Sequence, residues 1–561
     1  MSDCTGLPSR SPEEKKISVD LAIVNGNIIT VDDKNPHAEA LAVKNERIVI
    51  VGSNSAIQET IGRNSTVIDA QGKTITPGFI DAHLHPIPLY DYKSIQHELQ
   101  VGPAVVKTID DLVAALARKA KITPKGEWVW ANRYDEVAMG RHPTRYDLDR
   151  ASTEHPIYVG HVSGHIGVAN SKALADAKIT RNTPNPEGGA YDRDQNGELT
   201  GILWEKAGKL VKVLGHPIPP PTVEENNEAV TNLFNQFLSK GITSVGDATG
   251  TADSIKIFSD ARKAGRNTVR VYEMMRNRDP RWVEAFPLLK KLNIGTGFGD
   301  EWLKIGPMKI IQGNAYSGRT ALLYEPYDMV NPTTGKYDYY GLPLQISQEE
   351  MDEWVMEVHR AGYQICIHSN GDLEMDQVLN SYERALKAYP RENHRHRIEH
   401  AAVMNQSILE RIKRLGVVPV IFAYTYEHGE KMASYGKGRQ DMMLAFRSCL
   451  DMGIPVASHS DYGVSAADPL LRIYCMVTRK SKEGEVYGAA QAISAREALK
   501  IWTLGNAFAA FEENSKGSLE VGKWADIAIL SDDPTTISPD AIKDILVEKT
   551  IVGGRIVYDR K

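Results

Sequence analysis

The sequence predicts an α/β protein: parallel strands alternating with helices through most of its 561 residues, joined to one small β domain built from both ends. Three observations predict it. Short apolar runs alternate with amphipathic helical stretches through the middle of the chain, the pattern of a parallel α/β fold. Runs with Asn/Gly turns, the texture of hairpins, stand at both ends. Several of the central strands close on a histidine or an aspartate.

In order along the chain, residues 1–17 read as a flexible polar tail without the apolar stretch of a secretory signal. Residues 18–76 and 517–561 read as the composite β domain. Leu21-Ala22-Ile23-Val24 and Ile28-Ile29-Thr30-Val31 flank the turn Asn25-Gly26-Asn27, and Ile551-Val552-Gly553-Gly554-Arg555-Ile556-Val557 repeats that texture near the far end. Between them, 77–516 carries eight candidate strands: 78–83, 157–161, 242–247, 308–311, 364–368, 397–400, 417–421 and 456–461. Helical stretches such as 348–361, 375–388 and 406–415 separate several of them. Eight strands point to a barrel, and pattern alone leaves a doubly wound sheet open. Residues 86–156 and 176–230, the second with the Pro-rich piece His216-Pro217-Ile218-Pro219-Pro220-Pro221, are too long for ordinary connections and read as insertions over the active face.

Composition narrows the function. With 66 Lys and Arg against 72 Asp and Glu, the net charge is −6, which excludes a basic nucleic-acid footprint. No run approaches the ~20 apolar residues of a membrane-spanning helix. The four cysteines form no C-x-x-C pair and no disulfide framework. The expectation is a cytoplasmic protein acting on a small molecule, with no nucleic-acid or membrane partner and a homodimer left open.

The chemistry sits at the strand ends. His83 and His85 share one side of an extended segment by their i, i+2 spacing. His368, His400 and Asp461 end later strands. In a barrel, C-terminal strand ends converge on the catalytic face, and imidazole with carboxylate is the usual donor set of a catalytic zinc site. A lone strand-end histidine is most often structural, and a lone aspartate most often an N-cap. Four histidines and one aspartate at corresponding ends rarely arise from independent structural uses. His161 and His165 are candidates for the pocket wall, whereas His394 and His396 read as part of a solvated loop.

Pro77-Gly78-Phe79-Ile80-Asp81-Ala82-His83-Leu84-His85 resembles the opening motif of the amidohydrolase superfamily, and Gly517-Ser518-Leu519-Glu520-Val521-Gly522-Lys523-Trp524-Ala525-Asp526 resembles its return to the β domain. Pro143-Thr144-Arg145, Asn170-Ser171, Arg319-Thr320-Ala321 and Asn370-Gly371-Asp372 are similar to the amidohydrolase family 3 branch, which contains N-substituted formamide deformylases. The resemblance implies a (β/α)₈ TIM-like barrel with a composite β-sandwich. It implies one or two divalent metal ions, Zn²⁺ first among them, at His83, His85, Lys309, His368, His400 and Asp461. Lys309 matches a family lysine that is often carbamylated, and Glu205 is a rival bridge. Expected substrate contacts are His165, Arg319, Tyr316 and Trp130, with Arg133 beside them. Val420-Ile421-Phe422-Ala423-Tyr424 and Gln312-Gly313-Asn314 depart from the family pattern at positions expected to face the substrate. The implied activity is hydrolysis of a C–N bond, an amide or N-substituted formamide, by metal-activated water with Asp461 as general base. Hydrolysis of an ester, carbamate or cyclic amide is the first alternative, and a non-catalytic metal-binding barrel the second.

Overall fold

The structure, a computed structural model, describes residues 18–86, 98–208, 211, 221–276, 285–331, 333–344 and 346–561. The expected tail at 1–17, part of the first expected insertion (87–97) and most of the Pro-rich piece lie outside the described residues.

Eight parallel strands form the centre, hydrogen-bonded side by side in chain order: β1 (Phe79–Leu84), β2 (Ile242–Gly250), β3 (Arg270–Arg276), β4 (Leu303–Ile311), β5 (Ile365–Ser369), β6 (Arg397–His400), β7 (Val418–Phe422) and β8 (Ala457–His459). Residues just beyond β8 bring it back to β1. The Ser460 N–H donates to Asp81 Oδ1 at 3.0 Å, and the Asp461 N–H to the His83 carbonyl at 3.2 Å. The sheet is thereby a nearly closed barrel. Every residue of β1, β5, β6 and β7 is buried, as parallel strands covered on both faces require. Helix ends follow local rules. Ser347 and Glu350 form a capping box at the start of Gln348–Arg360, and Gly416, with φ +69°, closes Gln406–Leu415.

One expected barrel strand is corrected. Ile157–His161 pairs with Val129–Tyr134 and Ile166–Ala169 in a separate six-stranded sheet that runs from Leu99–Gln100 to Gly189–Arg193. That sheet has its own core around Leu112, Leu116, Val129, Ile157 and Val159. β3 takes the vacated place in the barrel. An apolar run ending in histidine looks the same in either sheet, while the charged Arg270, Glu273 and Arg276 disguise β3. What read as two insertions around a barrel strand is thus one continuous layer.

The chain's two ends share a sheet. Thr74–Pro77 pairs antiparallel with Ile527–Leu530, placing Ile75 opposite Ile529. A four-stranded sheet from 21–69 faces a common core in which Leu21, Ile23 and Leu41 meet Ile527, Ile529 and Ile551. Burial of each such side chain contributes about 1.5–3 kcal/mol. Arg270 of β3 fastens this part to the barrel through two hydrogen bonds to Asp526, at 2.7 and 2.9 Å. Among the described residues no helix is long and apolar enough to cross a membrane.

Candidate active site and metal centre

His83 on β1, His400 at the end of β6 and Asp461 just after β8 each offer a ligand atom within 4.8 Å of the others. All three are buried. Asp461 Oδ1 lies 3.4 Å from His85 Nε2 and 3.7 Å from His83 Nε2, and it has no hydrogen-bond partner. Lys309 Nζ, on β4, is 3.0 Å from His83 Nε2. The His368 ring sits 4.4 Å from that of His400, with its Nε2 3.2 Å from the Asn314 carbonyl. A bare carboxylate oxygen among buried imidazole nitrogens is costly on its own. The same nitrogen and oxygen donors suit a divalent cation with an open position, so the residues present fit a metal.

The support around these donors is built from β6. His83 Nδ1 bonds Glu399 Oε2. Glu399 is gripped by Arg397 through two bonds of 2.8 Å, and Arg397 also donates to the Ala82 carbonyl at 2.9 Å. This fixes which His83 nitrogen faces inward. His85 Nδ1 is anchored by Thr249 Oγ1 at 2.9 Å. Sequence reasoning missed Glu399 and Arg397. Their i, i+2 placement on a wholly buried strand was the available signal, since two such charges share a face and need partners. It also missed His459, which stacks on His83 at 4.7 Å and has neither ring nitrogen hydrogen-bonded.

Burial holds His83, His85, His368, His400 and His459 well below the ordinary imidazole range, in the neutral form that ligates metal. Burial raises Asp461 to about 6, against the opposing pull of Lys309 and His165. Burial lowers Lys309 to about 8. His400 (φ +73°) and Asp461 (φ +53°) occupy the left-handed region, backbone strain of a kind that clusters at functional sites. Asp461 does not cap the helix that follows. Asp468 does so, accepting from the Leu471 N–H at 3.2 Å.

Two cavities meet at the cluster. One of about 690 Å³ is lined by His85, Arg133, His165, Lys309, His400 and Asp461, among others. A much smaller one of about 40 Å³ shares His165, His368, His400 and Asp461 with it, and Tyr316 forms part of its wall. His165 comes from the insertion layer. Glu205 bonds its Nδ1 at 2.7 Å and receives the Thr320 hydroxyl at 2.9 Å. Burial would lower His165, but Glu205 outweighs it and the histidine is raised. Glu205 is therefore committed to His165 and Thr320, and it is Lys309 that lies against His83. Arg133 donates to the Gly463 carbonyl at 2.6 Å, and His161 is held between Glu136 and Ser163 at 2.6 and 2.7 Å.

Two further candidates stand apart from these cavities, and one expectation, the solvated loop, is corrected. Trp130 stacks on Trp128 and packs against Tyr158 within the insertion layer, because a large ring there completes that layer's core; it lines neither cavity. Arg319 donates to Ser434 Oγ at 3.1 Å and also lies outside both linings. His394 and His396 are buried, not solvated.

The amidohydrolase family profile matches residues 66–558. The protein YtcJ of Bacillus subtilis (strain 168) is 29% identical over 555 residues, covering 95% of this chain and 98% of its own. An N-substituted formamide deformylase of Arthrobacter pascens is 28% identical over 549 residues, covering 96% and 98%. An uncharacterized metal-dependent hydrolase from Pyrococcus furiosus superimposes with a TM-score of 0.67 at 26% identity, over 92% of this chain and 100% of that one. A family match that starts at residue 66, late in the N-terminal part of the β domain, and runs through the barrel to residue 558 makes the relationship plain: this chain belongs to the amidohydrolase family.

Proposed function

We propose that this chain is a metal-dependent hydrolase of a carbon–nitrogen bond outside peptides, in an amide or N-substituted formamide. The observation that carries the reading is the unpartnered Asp461 Oδ1 among His83, His85 and His400, at the meeting point of two cavities. The likeness to a formamide deformylase over nearly the whole chain supports it. A divalent ion at His83, His85, His368, His400 and Asp461, with zinc the first candidate, supplies Lewis acidity and lowers the pKa of a water to about 7.

Asp461 takes the proton of the attacking water as its oxygen bonds to the acyl carbon, then returns it to the nitrogen as the C–N bond breaks. Glu399, held by Arg397, keeps the inward His83 nitrogen unprotonated. Addition of CO₂ to the buried amine of Lys309, with loss of a proton, would give this residue an anionic oxygen donor toward the metal. Its place beside His83 supports this, as an unmodified ammonium there would repel a cation.

Metal analysis and a substrate panel test the reading. The expected result is one to two equivalents of divalent metal and chelator-sensitive cleavage of amides or formamides. Lys309→Ala is expected to lower the metal content by one equivalent and remove most activity. Metal-free protein whose activity survives chelation would overturn the metal assignment. Cleavage confined to esters, carbamates or cyclic amides would overturn the bond assignment.

A further inference from the structure

The small cavity carries information about the substrate that the metal ligands do not. Besides Asp461, three of its lining residues are more than nine-tenths buried and hold a polar atom without a partner: Asn370 Oδ1, the Tyr424 hydroxyl and His428 Nδ1. The Asn370 amide nitrogen donates to the Asn314 carbonyl at 2.8 Å, which leaves Oδ1 as a free acceptor. Burial lowers His428 to about 4 and raises the Tyr424 phenol well above its ordinary value, so both are uncharged at neutral pH. Ala315, Tyr316, Phe422 and Val464 supply apolar wall, and no lysine or arginine is among the described lining residues. His165, which borders the cavity, is already paired with Glu205. Buried polar atoms of this kind are stabilised only by a partner, and leaving them bare is penalised.

The space of about 40 Å³ admits about three water-sized groups, whereas the adjoining 690 Å³ takes a large substituent. The two meet at His165, His368, His400 and Asp461, where the scissile bond must lie if the proposed function holds. We infer that the small cavity is the acyl subsite, and that it takes a small uncharged acyl group bearing a hydrogen-bond donor, of the hydroxyacyl or carbamoyl type. The amine substituent then occupies the large cavity. The donor of the acyl group bonds Asn370 Oδ1, and the Tyr424 hydroxyl donates to a hydroxyacyl oxygen. A formyl or acetyl group fills part of the space but leaves these atoms bare. A charged acyl group has no counter-ion there. The inference rests on the metal-dependent C–N hydrolysis proposed above for which side of the bond the cavity serves.

The test has a turnover arm and a binding arm, both on the full metal-loaded chain. In the first, N-benzyl amides differing only in the acyl group (formyl, acetyl, hydroxyacetyl, carbamoyl, succinyl) are compared by kcat/KM. The expected result is a preference of about 10- to 100-fold for hydroxyacetyl or carbamoyl over acetyl, with succinyl poorest, and Tyr424→Phe lowering the hydroxyacetyl-to-acetyl ratio several-fold. In the second, hydroxyacetamide and acetamide are compared as ligands by saturation-transfer NMR, with hydroxyacetamide expected to bind more tightly and to lose part of that advantage in Tyr424→Phe. Equal or better turnover of formyl and acetyl substrates, or a preference undiminished by Tyr424→Phe, overturns the subsite while leaving amide hydrolysis in place. Absence of turnover for every amide, with the binding preference intact, overturns the hydrolytic reading and supports the subsite. Equal binding of the two amides together with no turnover overturns both.

Discussion

β6 carries histidines at both of its ends, and the two ends treat them differently. His396, just before the strand, has its ring closed off by protein. Its Nδ1 accepts the Ile365 N–H at 3.1 Å and its Nε2 meets His359 Nδ1 at 2.9 Å. His394 beside it bonds the His396 N–H at 2.9 Å and the Leu415 carbonyl at 2.8 Å. At the other end, His400 faces a cavity together with Asp461, whose Oδ1 is unpartnered, and His459 behind them has two unpartnered ring nitrogens. All these side chains are buried. Burial does not separate the two groups; satisfaction of their polar atoms does. In a parallel barrel the N-terminal ends of the strands serve stability and the C-terminal ends serve chemistry, and here one strand displays both.

The sharpest break of this contrast is Asp461→Asn. The amide cannot accept the water's proton, so kcat is expected to fall by about 10²–10⁴-fold. Near-normal turnover with full metal content would remove Asp461 from the mechanism. Next in size is Glu399→Gln, which leaves His83 in place but weakens what orients it. Metal affinity, read by competition with a chromogenic chelator, is expected to drop about 10- to 100-fold. An unchanged affinity would show that the Arg397–Glu399 pair acts on the fold alone.

The opposite end of β6 should respond in the opposite currency. His396→Ala strips partners from His359 and from the Ile365 N–H. The unfolding free energy in urea is expected to fall by about 2 kcal/mol, with metal content per folded molecule unchanged. A loss of metal without loss of stability would contradict the division. The smallest effect concerns pH. Burial lowers His394 to about 4, from an ordinary value near 6.5 in the unfolded chain. Its neutral form is the folded one, so its contribution is complete above pH 6.5. The unfolded chain binds the proton first as pH falls, and stability is lost from about 6.5 down to about 4, at up to about 1.4 kcal/mol per pH unit. Unfolding of the metal-free protein between pH 7.5 and 5.5 should show this slope, and His394→Asn should make it shallower. An identical slope in the variant would assign the pH dependence to other groups.

Much of the site was legible because it is written at strand ends. His83, His400 and Asp461 each terminate a readable apolar run, and the structure brings them together. Lys309, picked out by resemblance, stands beside them. The misreadings share one cause, that local pattern carries no information about the partner strand. Ile157–His161 has the look of a barrel strand and pairs elsewhere. His394 and His396 sit in a polar loop sequence, Asn393-His394-Arg395-His396, that the fold buries against Leu415 and His359.

By itself, then, the sequence determined the alternation of strands and helices, the return of both ends to one β domain, and the residue types able to hold a metal. Periodicity, turn residues and strand-end chemistry are local, so they survive without coordinates. Tertiary structure alone decided that Arg270–Arg276 completes the barrel, that Glu205 belongs to His165, that Glu399 and Arg397 steady His83, and that a small cavity with unpaired polar atoms opens beside Asp461. Each of these depends on contacts between segments up to several hundred residues apart. Which buried polar group meets a partner, and which is left facing a cavity, is set only when those segments pack.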